Sequence, residues 1–590
     1  MELVPRRIVV DCGGSVHAAP LPSGGRASLG VGPLEVEIER GGSGWSWSVG
    51  NRGDAPVPVR SVAVVLDVVA VREPLRLFRH GYQSWSPTGV AVLGRDVDPS
   101  TRADLPFLQG VHAADDRTVT WPGELRSEWV TLLVDADAGG EPVLVGFTGG
   151  DRHDGTFRLR PRGQEGMTEL WVEAFLGDAL LPAGAGRQLH PVVVGGPGGA
   201  LELLAAWADV VAAAGGARST APRPVGWCSW YHYFGAVTET DVGANLALAD
   251  RIPGDLFQVD DGFQVEIGDW LATNERFPSG LEGLVERITG AGRRPGLWLA
   301  PFLASPASDL ATGHPSWLAG GPGTSDREPL LAWWNPAWGG GRDGFMYALD
   351  TTNPEVLDHL EGLGASLAGG GFGYLKLDFT FAPACSGRWS DPTRTPAERV
   401  RAGFDALRRG AGESTVLVGC GVPLANVVGV ADTVRIGPDV APCWALDPAD
   451  EIVPGFLGVQ PATRHAFANT VTRGFMHRRL WVNDPDCVMV RTEQTSLTPA
   501  AAAAWAATVA LSGGAVVVSD DLSLVDGGAA RLLAEAVALG GRADDAARAG
   551  ATLEVDGLLD AAVPAVVHGA GATLRIDTTT GRCLGDLPWE

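Results

Sequence analysis

At 590 residues, with 45% apolar and 19% charged side chains, the chain is long enough for about two to four domains with large cores and is not disordered. A formal net charge of −25 argues against nucleic acid or an anionic membrane as partner and favours a neutral or small polar ligand. Seven scattered cysteines without CxxC spacing suggest neither a disulfide framework nor a zinc site, and no secretory signal or membrane-length apolar run is evident, so a reducing cytoplasm is expected.

From residue 1 to about 200 the signals are those of strands. Runs such as LEVEIER, WSWSV, VRSVAVVLDVVAV, EWVTLLVD and HPVVVGG are β-branched or alternating and are separated by Gly, Pro and Asp turns. They predict an antiparallel β-sandwich over residues 1–200. One stretch departs from that pattern: HGYQSWSPTG, His80 to Gly89, sets Tyr82 and Trp85 in polar surroundings, as either a core tryptophan in a turn or a flat ring offered to a sugar face. Residues 201–216 carry helical spacing and end in a glycine pair, so 201–221 reads as a linker helix.

After Pro224 apolar runs alternate with helical stretches. Eight strand candidates follow in order: VGWCSW, DLFQVDD, RPGLWLAPF, GYLKLDF, STVLVGCG, DTVRIGPDV, RLWVNDPD and GAVVVSDDL. Strands alternating with helices imply a parallel sheet, and eight of them predict a closed (β/α)8 TIM barrel over 222–540. The long segment between the third and fourth strands, with Trp333, Trp334, Trp338 and many glycines, is expected to cover one mouth. TLEVDG, AAVPAVVHG and ATLRID then predict a small antiparallel β-domain over 541–590.

Working residues of such a barrel stand at the C-terminal ends of its strands. Those ends hold Trp227 and Trp230, Asp260 and Asp261, Trp298, Lys376 and Asp378, Cys420, Arg435 and Asp439, Asp484 and Asp486, and Asp520 and Asp521. Lys376 is the only lysine of the chain, two residues before Asp378, and the pairing is read as a cation that keeps a strand-end carboxylate ionised. A buried ion pair finishing a core strand is the bland alternative. Many carboxylates converging on one mouth need water, cations or a polyhydroxyl ligand. No histidine stands at a strand end, and Lys376 and Arg435 supply positive charge there, so a sugar is favoured over a divalent metal.

The strings GWCSWYHYF, FQVDDGFQ, LWLAPF, YLKLDF, GCGVPL, RIGPDVAPCW and WVNDPDC, in this order, resemble the α-galactosidases (melibiases) of glycoside hydrolase family 36, and HGYQSW resembles a motif of their N-terminal domain. The resemblance spans roughly residues 75 to 525. It implies retaining hydrolysis of terminal α-linked galactose without a cofactor or metal, on a small carbohydrate substrate. It also implies Asp378 as nucleophile, Asp439 as acid/base, and Asp260 and Asp261 as partners of the C4 and C6 hydroxyls. Lys376, Cys420 and Arg435 line the same subsite, and Trp85 and Trp298 wall it. Trp230, at the end of the first strand, is added as a candidate from position. An α-N-acetylgalactosaminidase, a galactosyl transferase and a silent sugar-binding barrel remain alternatives.

Overall fold

The computed structural model describes residues 1–69, 74–98, 113–114, 121–135, 141–161, 167–322, 328–338, 344–446 and 460–589. Residues 70 and 71 of the third sandwich run and the glycines at 339–341 of the mouth segment lie outside them.

Up to residue 195 the chain folds into a six-stranded and a nine-stranded sheet, both antiparallel. Alternation decides which side chains turn inward: in Leu34–Gly41 the buried residues are Leu34, Val36 and Ile38, while Glu35 and Glu37 face outward or the rim. The EWVTLLVD run is not one strand. Trp129 takes φ 70° and breaks it into Leu125–Glu128 on one sheet and Val130–Asp135 on the other, so the chain changes sheets there. More strands exist than the sequence runs announced, among them Glu2–Cys12, Val143–Phe147 and Asp154–Arg160.

The helix Ala200–Gly215 ends on Gly216 at φ 63°, the left-handed conformation a glycine adopts without cost. Its Trp207 indole donates to Phe147 O at 3.0 Å and packs edge-on against Trp129, which fastens the helix to the sandwich.

All eight barrel strands form where expected: β1 Val225–Cys228, β2 Leu256–Val259, β3 Arg294–Leu299, β4 Tyr374–Leu377, β5 Val416–Gly419, β6 Thr433–Arg435, β7 Val482–Asp484 and β8 Val516–Val518. Each neighbouring pair from β8 through β1 to β7 is parallel. The eight parallel strands form the expected (β/α)8 barrel, nearly closed in its hydrogen-bond ladder. β7 stops at Asp484 because Pro485 has no N–H to donate, and Val488 fills the seam by pairing with Val518. Ala515 N still donates to Asn483 O at 2.9 Å at the base of that seam.

Between β3 and the helix Pro354–Gly369, three short strands, Leu303–Ala304, Leu331–Trp334 and Phe345–Ala348, form an antiparallel sheet that carries the tryptophan-rich segment. The last sheet has four strands rather than three, because Arg582–Cys583 adds to Glu554–Val555, Val566–Gly569 and Ala572–Asp577. Among the described residues no helix is long and apolar enough to cross a membrane, and the seven cysteines are all free thiols.

Candidate active site

The C-terminal ends of β2, β3, β4 and β6 bring acids, a lysine, an arginine and a tryptophan together. Asp260 and Asp261 end β2 and are 2% and 5% exposed. As adjacent residues they point in different directions. Asp260 turns inward, where Lys376 Nζ donates to its Oδ2 at 2.9 Å and Gln258 Nε2 at 2.5 Å. Asp261 accepts from Gln264 Nε2 at 2.6 Å and from the Trp338 indole at 2.7 Å. Burial, reinforced by Asp260 and Asp378, raises the Asp261 carboxyl to about 6 against the pull of those two donors.

The partner of Lys376 is a correction. Its long side chain reaches past β3 to Asp260 on β2, and the ion pair is with that residue rather than with Asp378. Asp378 lies just beyond the last residue of β4, and its carboxylate turns to other donors: Trp298 Nε1 at 3.0 Å and Phe379 N at 2.8 Å. Trp298 stands opposite Lys376 in the β3–β4 ladder, so its indole sits where it can reach over the strand end. Lys376 still feels Asp378. Burial alone would lower its proton affinity, but the charges of Asp260 and Asp378 outweigh burial and hold the ammonium charged.

Removing that cation strands a buried carboxylate. Breaking a buried pair costs about 3–5 kcal/mol, so Lys376→Met is expected to lower Tm by several degrees in thermal unfolding. A Tm equal to that of the parent protein at pH 7 would contradict the pairing.

On the other side of the mouth, Arg435 is buried at the end of β6 and organises a second group. Its Nη2 donates to Asp439 Oδ1 at 2.8 Å and to Tyr231 Oη at 3.2 Å, and it also pairs with Asp486 Oδ2. Asp486 further accepts from the Tyr231 hydroxyl and from Val440 N at 2.8 Å. It holds φ 90°, a strained conformation for a residue with a side chain. Asp439 is the open member, with 37% of its side chain exposed. Burial of its carboxyl at the foot of the mouth raises its proton affinity above the usual range; Arg435 opposes this, and Asp486 and Asp378 add to it.

Aromatic rings roof the acids. Trp298 packs against Trp270 and Trp338 at 5.8 and 6.1 Å, and Trp338 meets Phe379 edge-on at 5.0 Å. Trp85, from the sandwich, inserts among Trp333, Phe379 and Phe381. It comes so close to β5 that a Cβ on Gly421, itself at φ +53°, would stand 2.8 Å from the Trp85 ring. The buried Trp85 indole N–H has no partner among the described residues. Cys420 is fully buried beside this contact, and burial followed by the nearby Asp378 charge keeps it a neutral thiol.

Three strand-end candidates lie elsewhere. Trp227 is stacked on Phe257 at 4.3 Å in the core, and Asp520 accepts from Val490 N at 2.6 Å, Arg491 N at 3.1 Å and Arg491 Nη1 at 2.5 Å, pinning the seam segment. Asp521 caps a short turn through Ser523 N at 2.8 Å. Trp230 packs edge-on against Phe234 at 5.3 Å and makes no hydrogen bond to the acids among the described residues. The residue the site uses is its neighbour Tyr231, because one step along a helical turn exchanges the outer face for the inner. Gln264 was not among the candidates, Trp338 was expected only as part of the mouth segment, and Asp486 stood among the strand-end acids of WVNDPDC without a role. Among the described residues no three His, Cys, Asp or Glu side chains are grouped as a metal ion would require.

The melibiase family model matches residues 217–381, which contain Asp260, Asp261, Trp298, Lys376 and Asp378. An Escherichia coli α-galactosidase is 29% identical over 111 residues, 18% of this chain and 14% of its own length. α-Galactosidase AgaA of Geobacillus stearothermophilus is 27% identical over 171 residues, 28% of this chain and 22% of its own. The matched stretches therefore span under a quarter of those curated relatives. Solved structures align far more completely. An α-galactosidase from Thermus thermophilus in complex with p-nitrophenyl α-D-galactopyranoside is 26% identical with TM-score 0.66, covering 94% of this chain and 99% of that one. The family 36 enzyme AgaA shares the fold at 16% identity and TM-score 0.57, covering 87% of this chain and 68% of that one. The ordered motifs thus stand on one barrel mouth of an architecture that the chain shares with solved α-galactosidases, and residues 217–381 of it match the melibiase family model.

Proposed function

We propose that the chain is a retaining exo-α-galactosidase acting on galacto-oligosaccharides, with Asp378 as nucleophile and Asp439 as acid/base. The observation that carries this reading is the contrast between the two acids: Asp378 is fixed as an acceptor of two N–H groups, whereas Asp439 is open to the mouth and pushed towards its protonated form. Asp378 attacks C1 while the proton of Asp439 passes to the leaving oxygen, giving a glycosyl-enzyme ester and a free aglycone. Water then gives its proton to the Asp439 carboxylate and attacks C1, releasing galactose and regenerating both acids.

Asp260 and Asp261 accept from hydroxyls of the non-reducing galactose, and the free indole N–H of Trp85 donates to another. A carboxylate fixed to accept from an axial hydroxyl is left buried and one hydrogen bond short when glucose binds, which supports selectivity. The T. thermophilus enzyme of the same architecture is solved with p-nitrophenyl α-D-galactopyranoside and with stachyose, which supports this substrate class. In this reading residues 222–540 are the catalytic unit, 1–200 lend Trp85, 201–221 join the two, and 541–590 buttress the barrel.

The test is hydrolysis of a panel of p-nitrophenyl α-glycosides together with raffinose. The α-galactoside is expected to be cleaved and the α-glucoside disfavoured by at least about 10²-fold, with Asp261→Ala lowering kcat/KM for galactoside by about 10- to 200-fold. Equal cleavage of both sugars, or of α-N-acetylgalactosaminide alone, would overturn the reading.

A further inference from the structure

Arg473 is fully buried at the end of the helix Thr463–Thr472, and its guanidinium meets no carboxylate among the described residues. Its acceptors are neutral. Nε donates to Thr88 Oγ1 at 2.9 Å, Nη1 to Ser84 O at 2.8 Å and Ile436 O at 2.7 Å, and Nη2 to Ser86 O at 2.9 Å and Gly81 O and Gln83 O at 3.2 Å. All but one of these acceptors belong to the sandwich loop that carries Trp85. The remaining one, Ile436 O, follows Arg435 at the end of β6. A buried guanidinium without a counter-ion is costly, and a cation spent on neutral acceptors, all but one of which belong to one loop, is more than a core needs for packing.

The geometry points to Arg473 as a positioning residue that sets where Trp85 stands relative to Arg435 and Asp439. The same helix holds both ends of that link. At one end Asn469 accepts from Thr88 N and donates to Ser86 O, each at 3.0 Å, and Thr472 Oγ1 reaches Thr88 O at 3.3 Å. At the other end Ala462 N donates to Asp439 O at 2.9 Å. From the β5 side Ser84 N donates to Val422 O at 3.0 Å and Leu424 N to Tyr82 O at 3.2 Å, so the loop is pinned on both flanks and the Trp85 ring is left to face Gly421 and Phe379, the residue after Asp378. Only a planar fork with donors in fixed directions can take so many carbonyls at once; an ammonium on a flexible stem cannot.

The inference rests on the proposed galactoside hydrolysis, and its test separates the two. Arg473→Lys keeps the charge and the bulk but loses the fork. In the full-length protein we expect faster amide hydrogen exchange confined to residues 80–89, kcat/KM on p-nitrophenyl α-galactoside lowered by about 10²-fold as misplacement of a substrate-contacting group predicts, and a Tm lowered by the buried hydrogen bonds lost. Because Arg473 acts through Trp85, the lysine variant should add less than about threefold to the loss already caused by Trp85→Ala. Should Arg473→Lys not fold, Asn469→Ala loosens the same loop and is expected to act in the same direction. Unchanged exchange in 80–89, or losses that multiply fully with Trp85→Ala, would overturn the positioning role. An absence of turnover in the parent protein would overturn the hydrolase reading, while the exchange measurement would still decide the role of Arg473.

Discussion

Replacement of Asp378 by Ala is expected to lower turnover of p-nitrophenyl α-galactoside by roughly four to six orders of magnitude, as loss of a covalent nucleophile does elsewhere. The carboxylate stands just past β4, and its two oxygens are oriented by the Trp298 indole and its neighbour's amide. Those donors hold one rotamer, which an attacking carboxylate requires. Truncation leaves a space the size of a small anion. Added azide should enter it, attack C1 from the face the carboxylate used, and release β-galactosyl azide with partial recovery of rate. Activity in Asp378→Ala within tenfold of the parent protein would contradict the assignment.

Asp439→Ala should discriminate among substrates. A leaving oxygen that is a weak base, as in nitrophenolate, departs without a proton, whereas the oxygen of raffinose does not, so the loss should be about 10²- to 10⁴-fold larger for raffinose. The sign of the pH dependence follows from the same group. The Asp439 carboxyl is raised by burial and by the charges of Asp486 and Asp378, so its protonated form persists above the ordinary carboxylate range, and kcat/KM should fall on the basic side as that proton is lost. In Asp439→Ala this basic limb should vanish for the activated substrate. Equal losses on both substrates with the limb retained would make Asp439 a substrate-positioning group and move the acid elsewhere.

Much of this arrangement was legible in the sequence because barrel strands are short apolar runs bounded by turn residues, and the chemistry follows immediately after each run. Asp260, Asp261, Asp378 and Asp439 could be read as strand-end acids before any coordinates. The partner of Lys376 could not: a side chain with four rotatable bonds need not pair with its sequence neighbour, and here it crosses β3 to Asp260. Trp230 and Tyr231 differ by one position in a four-residue helix, too short for periodicity to choose between them. The count of eight strands gave the barrel, and Pro485 in NDPD marks where its last ladder is thinnest. Arg473 gave no signal, since one arginine among those of VTRGFMHRRL reads as surface charge until the loop it binds is in place.

The measurement that tests the central claim most directly is a proton NMR time course of p-nitrophenyl α-galactoside with the parent protein, following the anomeric signals of released galactose before mutarotation. Double displacement through Asp378 and Asp439 predicts that α-galactose appears first and that the β anomer grows in only with mutarotation. Initial release of β-galactose, or no release at all, would contradict it.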